Sequence, residues 1–110
     1  MAEVREYLDG QGRSPFERWF DSLAAPAAAK VTTALARLEA GNTSGLKSVG
    51  RGVHELRIDF GPGYRVYLGQ DGVEFVILLG GSAKARQQQA IDAAQDRWAD
   101  YRRRKRLGGR

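Results

Sequence analysis

Three consecutive strand-like segments, separated by glycine-rich turns, constrain the fold of this chain more than any other feature. Residues 53–60 and 64–68 alternate apolar and polar side chains, whereas residues 73–79 are almost continuously apolar. Gly61-Pro62-Gly63 separates the first two segments, and residues 69–72 form a second turn before the third. The alternating pair predicts a hairpin with one buried face, and the apolar run predicts a central strand.

Helix signals flank these strands on both sides. Ser14, Pro15 and Glu17 form a capping box followed by apolar residues at helical spacing, which predicts a helix from residue 15. A second helix is predicted from Pro26 to about residue 40, and the two should form an antiparallel hairpin. Gly80-Gly81-Ser82 is predicted to end the third strand and to cap a last helix over residues 83–106.

The remaining segments complete an α+β pattern in a single domain. Residues 2–8 are predicted to form a strand, and the Gly-, Ser- and Thr-rich residues 42–52 a loop. Strands and helices that are segregated along the chain favour an α+β fold, and 110 residues correspond to one domain. We place this domain at residues 1–106 and expect residues 107–110 to be a flexible basic end.

Composition excludes several classes of function. The chain has no cysteine and one histidine, so we expect neither thiol chemistry nor a metal site, and no cofactor. No apolar run reaches the ~18 residues that span a bilayer, and the N-terminus lacks a signal-peptide pattern, which predicts a cytoplasmic protein without membrane contact. Residues 102–110 carry six basic side chains and no acid, whereas residues 1–101 have 12 basic and 13 acidic side chains, so the net charge of +5 comes from the C-terminal end. This cationic end and the many arginines favour an anionic partner, although a GC-rich genome would produce the same arginine bias.

The predicted hairpin places four polar or amphipathic side chains on one face of the sheet. With residues 61–63 as the loop, Asp59 lies opposite Arg65 and Arg57 lies opposite Tyr67. This face is either a solvated surface, with an Asp59–Arg65 ion pair worth under ~1 kcal/mol, or part of a functional site.

Basic residues at the start of the last predicted helix indicate a binding site for an anion. Lys84 and Arg86 in the first helical turn oppose the helix dipole, and a bound phosphate would reverse that penalty; the alternative is that both are solvated. His54 shares a face with apolar neighbours, so we expect a partly buried structural residue, with proton transfer as the alternative. The candidate RNA or phosphate contacts are Lys84, Arg86, Arg102, Arg103 and Arg104, with a solvated helix end as the alternative for the last three.

Three segments resemble one known family. Residues 52–58 (GVHELRI), 61–67 (GPGYRVY) and 78–84 (LLGGSAK) resemble the HigB-like addiction module killer branch of the RelE/ParE toxin superfamily. The resemblance implies a single RelE-like domain, with a curved antiparallel sheet, an N-terminal helical hairpin and a C-terminal helix. Arg57, Arg65 and Lys84 match the basic residues of the three family motifs, whereas Ser82 and Ala83 replace a Gly-Asp pair that relatives often carry.

The resemblance also implies a function. It predicts the toxin of a type II toxin–antitoxin module, a metal-independent mRNA endoribonuclease that acts with or without the ribosome. Arg57, Arg65 and Lys84 would neutralise charge on the phosphate, and Tyr67 and Asp59 are the candidates for general acid and base. The implied partner is a helix-turn-helix antitoxin, through which the complex binds operator DNA. The alternatives are a ParE-like poison of DNA gyrase and an inactive module that only binds its antitoxin.

Overall fold

The computed structural model describes residues 2–108, which form one five-stranded sheet with helices on both faces. The strands are β1 (Glu3–Glu6), β2 (Leu46–Gly50), β3 (Val53–Ile58), β4 (Tyr64–Asp71) and β5 (Phe75–Ala83). The helices are α1 (Pro15–Asp21), α2 (Ala25–Glu39) and α3 (Gln87–Leu107), and a 3-10 turn, Lys84–Arg86, precedes α3. The predicted α+β class and C-terminal helix are therefore confirmed. Among residues 2–108, none of the helices combines the length and the hydrophobicity that a membrane-spanning helix requires.

The sheet is mixed rather than fully antiparallel. Its order is β1-β5-β4-β3-β2, in which β1 runs parallel to β5 and all other pairs are antiparallel. The α1–α2 segment carries the chain from β1 at one edge to β2 at the other. Three reversals then bring β5 back beside β1 in the same direction, so the prediction of a purely antiparallel sheet is wrong at this edge.

Each face of the sheet carries its own hydrophobic core because strand side chains alternate between faces. One face packs against α1 and α2 through a cluster that includes Phe16, Val31, Leu56 and Val66. The opposite face packs against α3, where Trp98 meets Val53, Tyr67, Ile77 and Leu79. The central strand β4 is therefore covered on both sides, which buries the continuous run of residues 65–69.

The β3–β4 register differs from the predicted one by two residues. Arg57 lies opposite Arg65, and Glu55 lies opposite Tyr67. The side chains predicted to share a face of the hairpin do so, because the shift is by an even number of residues. However, β3 ends at Ile58, so Asp59 belongs to the loop instead of facing Arg65. A loop of five residues, 59–63, is closed by the Gly63 amide donating to the Phe60 carbonyl at 3.0 Å.

Two predicted loops are strands in the structure. Residues 46–50 pair with β3 as an edge strand, and the sharp turn that follows uses positive φ angles from Gly50 to Gly52. β4 likewise continues through residues 69–71 to Asp71. These segments lack strand periodicity, so their pairing depends on the neighbouring strand and could not be predicted from local sequence.

The Gly80-Gly81-Ser82 segment does not cap a helix. It continues β5 to Ala83, because β4 pairs with it as far as Tyr64 opposite Ala83. Helix α3 begins at Gln87, so Lys84 and Arg86 lie in the preceding 3-10 turn and not in its first turn. No side chain caps the start of α3. At the other end α3 reaches Leu107, and residues 109–110 of the predicted flexible end lie outside the described residues.

The predicted start of α1 is confirmed. The Ser14 hydroxyl accepts a hydrogen bond from the Glu17 amide at 3.0 Å, and Pro15 occupies the first helical position. We expect Ser14→Ala to lower the free energy of unfolding by about 1 kcal/mol, measured by urea denaturation. Ser48→Ala on the exposed edge strand is the control, with an expected change within about 0.5 kcal/mol. Equal effects of the two substitutions would contradict a capping role.

Candidate functional site

A small cavity of about 240 Å³ lies at the β3–β4 turn beside the 3-10 turn. Its titratable lining residues are Arg57, Asp59, Tyr64, Arg65 and Lys84. The hairpin register brings the two arginines opposite each other, and the Lys84 amide donates to the Gly63 carbonyl at 3.0 Å. The structure thus brings four of the five predicted catalytic residues to one place.

Arg65 differs from the other two cations because it is buried. Only 5% of Arg65 is exposed, and its Nε lies 3.4 Å from Oε2 of Glu55, which is 1% exposed. The Gln87 side-chain amide donates to the same oxygen at 2.7 Å. The Arg65 Nε contact lacks hydrogen-bond geometry, so it is a charge interaction rather than a hydrogen bond. The Glu55 carboxylate therefore compensates the buried guanidinium, and Gln87 at the start of α3 holds that carboxylate.

Arg57 and Lys84 remain as exposed cations of the cavity. Neither makes an ion pair within residues 2–108. Two like charges directly opposite on a sheet destabilise it, and the Arg57–Arg65 pair has this arrangement. With Arg65 balanced by Glu55, the two free cations and the single carboxylate of Asp59 leave a net positive cavity. An anion such as a phosphate would relieve this repulsion.

Tyr67 is not part of the cavity. It is 0% exposed, and its hydroxyl lies 3.3 Å from the Ser82 hydroxyl beneath α3. Burial is the main reason that the pKa of Tyr67 is raised, so the phenol stays protonated at neutral pH. Tyr67 could at most act through its neighbours and does not line the cavity where a ligand would lie.

The predicted RNA or phosphate contacts do not form one surface. Lys84 lines the cavity at the β3–β4 turn, whereas Arg86 lies beside exposed residues of α3 in a different depression. Arg103 and Arg104 both form ion pairs with Asp100. Arg102 lines a separate cavity against α3.

Sequence reasoning missed three residues of this region. Tyr64 lines the cavity. Glu55 lies against the Arg65 guanidinium, and Gln87 donates a hydrogen bond to Glu55. The alternation of β3 places Glu55 on the same face as Arg57, and in the observed register it lies opposite Tyr67. No local signal identifies Gln87, because its contact depends on how α3 packs against the sheet.

No group of three or more His, Asp or Glu side chains within residues 2–108 is arranged to hold a metal ion. His54 is partly buried, and its Nδ1 has no hydrogen-bond partner among those residues. It lines the cavity against α3 instead of the one at the β3–β4 turn.

Comparison with known proteins identifies a bacterial relative of this chain. No family model matches the chain. An uncharacterized protein of Haemophilus influenzae is 43% identical over 81 residues, a match that covers 73% of this chain and 82% of the relative. The chain therefore belongs to the same family as that H. influenzae protein.

Proposed function

We propose that the protein is the toxin of a type II toxin–antitoxin module and cleaves mRNA at the cavity lined by Arg57, Arg65 and Lys84. The observation that supports this proposal is the convergence of these three cations on one depression that also contains a carboxylate. A phosphodiester has the charge and the acceptor oxygens that such a cluster binds. The RelE-like segments of the sequence point to the same activity.

The proposed reaction uses the RNA's own 2′-hydroxyl as nucleophile. Its oxygen forms a bond to the adjacent phosphorus, its proton passes to a base, and the bond to the 5′ oxygen of the next nucleotide breaks. The departing oxygen takes a proton from water or from the Lys84 ammonium. The products are a 2′,3′-cyclic phosphate and a 5′-hydroxyl end. The reaction is accelerated when cations offset the charge that develops on the phosphoryl oxygens.

Among the titratable side chains of the cavity, Asp59 is the one suited to act as base. Its carboxylate is exposed in the 59–63 loop and lines the depression, whereas Tyr67 is fully buried. Arg57 and Lys84, being exposed, would contact the phosphate directly. Arg65 presents a guanidinium that is already oriented by Glu55, so it would hold the phosphate with little loss of side-chain freedom.

The resemblance to RelE/ParE toxins also implies a biological setting. The toxin would act in the cytoplasm on mRNA, on or off the ribosome. A helix-turn-helix antitoxin would neutralise it and carry the complex to operator DNA. An open reading frame beside the gene that encodes such a protein would support this setting.

We expect Arg57→Ala and Lys84→Ala each to slow RNA cleavage by about 10²-fold, because each removes a cation from the phosphate. Cleavage is measured by mapping 5′ ends after induction and by identifying the cyclic phosphate in vitro. Arg103→Ala is the matched control, since Arg103 is paired with Asp100 away from the cavity. Arg65→Ala is a poorer test because it would leave the Glu55 carboxylate buried without its cation.

The double variant Arg57→Ala/Lys84→Ala gives the decisive result. Full growth arrest at wild-type protein levels would contradict the proposed site. Intact mRNA together with gyrase-linked DNA breaks after induction of the unaltered protein would contradict the nuclease and favour a gyrase poison.

A further inference from the structure

The basic residues at the end of α3 divide between two faces of the helix. Arg103 and Arg104 are bonded to Asp100, and Arg104 also donates to the Leu8 carbonyl. Three other cations instead line a second cavity of about 770 Å³ between α3 and the ends of β3 and β4. These are Arg102, Lys105 and Arg106. The basic end of α3 therefore contributes to two surfaces, and the one that contains Arg102, Lys105 and Arg106 faces a cavity.

The base of this second cavity is aromatic. The rings of Trp98 and Tyr101 are stacked with centroids 5.2 Å apart and planes 7° apart. Glycines allow Trp98 to lie flat on the sheet, since a Cβ at Gly52 or Gly69 would come within 2.7 or 2.5 Å of its indole. The helical spacing of 98, 102 and 106 places a cation one turn and two turns beyond Trp98 on the same face.

The polar groups of this cavity leave a positive balance. Asp71 accepts a hydrogen bond from the Tyr101 hydroxyl and pairs with Lys105, so this carboxylate is already neutralised. Arg102 and Arg106 have no carboxylate within 4 Å among residues 2–108.

We propose that this aromatic–cationic cavity, lined by Trp98, Tyr101, Arg102 and Arg106, is a second binding site for single-stranded RNA. Arg102 and Arg106 would hold phosphate groups, and a base or sugar would contact the partly exposed ring of Tyr101, because Trp98 beneath it is only 5% exposed. Cations beside an aromatic ring are typical of single-strand binding. This inference depends on the proposed function only for the identity of the ligand, because binding here does not require cleavage.

The test measures binding of a fluorescein-labelled 2′-O-methyl dodecanucleotide, which lacks the 2′-hydroxyl nucleophile and stays intact. We expect Arg102→Ala/Arg106→Ala to raise the Kd roughly tenfold in 0.1 M salt and to reduce the slope of log K against log salt by about 1.4. Arg103→Ala, which is also exposed but paired with Asp100, should leave the Kd and the salt slope nearly unchanged. An equal loss in the control, or an unchanged salt slope in the double variant, would overturn the proposal.

A second measurement reports on the aromatic base itself. In a Trp19→Phe background Trp98 is the remaining tryptophan, and we expect the oligonucleotide to quench its fluorescence. Quenching that is equally strong with a deca-glutamate peptide would identify an acidic protein surface as the ligand and overturn the RNA assignment. If the wild-type protein binds through this cavity yet never cleaves RNA, the proposed nuclease fails and this inference stands. If the wild-type protein cleaves RNA while Arg102→Ala/Arg106→Ala binds the oligonucleotide normally, the proposed nuclease stands and this inference fails.

Discussion

Glu55→Ala is expected to lower the free energy of unfolding by about 3–5 kcal/mol. The substitution removes the carboxylate that lies 3.4 Å from Nε of Arg65 and leaves a guanidinium that is 5% exposed without a counter-charge. It also removes the acceptor of the Gln87 side-chain amide at the start of α3. Because small domains are stable by only about 5–15 kcal/mol, such a loss would be visible as a large shift of the urea midpoint.

Two comparisons separate a charge effect from a simple loss of packing. Glu74→Ala removes an exposed carboxylate in the β4–β5 turn and should change stability by no more than about 0.5 kcal/mol. Glu55→Leu/Arg65→Met removes both charges and should cost less than Glu55→Ala alone, because no buried charge remains uncompensated. If the double variant is instead less stable than the single one, the ion pair is not what holds this region together.

Gly81→Ala is expected to destabilise the protein by about 3 kcal/mol. An added Cβ would lie 2.3 Å from Cε3 of Trp19, a distance at which the ring or the strand must move. The indole has little room to retreat, since it packs beside Phe16 and Tyr64 with ring centroids 6.0 and 6.4 Å away. Thermal and urea unfolding of the variant would measure the loss.

A double-mutant cycle tests the cause. In a Trp19→Leu background the added methyl has space, so Gly81→Ala should cost at least 1 kcal/mol less there than in the native chain, within the range of couplings about contacting residues. Gly10→Ala is the control, because a Cβ at Gly10 has no atom within 4 Å and its φ is not positive. Identical costs in both backgrounds would show that the overlap with Trp19 is not responsible.

The same glycine illustrates how far local sequence reasoning extends. Gly80-Gly81-Ser82 has the composition of a helix-capping, anion-binding segment, yet the structure uses it as strand. Gly81 accommodates Trp19, Gly80 lies next to the Arg97 guanidinium, and Ser82 faces Tyr67. These packing partners come from distant parts of the chain, so composition alone could not distinguish a close helix–sheet contact from a phosphate loop.

The candidate site was predicted in part. The motifs identified Arg57, Arg65 and Lys84, and the structure brings all three to one cavity. The predicted partner of Arg65 was wrong, because the hairpin register that places Asp59 opposite it assumes a three-residue loop instead of the observed five. Glu55 is the partner of Arg65 instead. A shift of two residues keeps every side chain on the same face of the sheet, so the alternating pattern cannot distinguish the two registers.

Local sequence was sufficient to predict the Ser14-Pro15 helix start, the alternating strands β3 and β4, the apolar part of β5, and a long basic last helix. Contacts between distant segments set the edge strand β2, the parallel placement of β1, the β3–β4 register, and the burial of Glu55 against Arg65 and Gln87. Caps and periodicity act over a few neighbouring residues, whereas edge pairing and buried charges depend on groups far apart in the chain. Only packing brings those groups together and sets the free energy of each pairing.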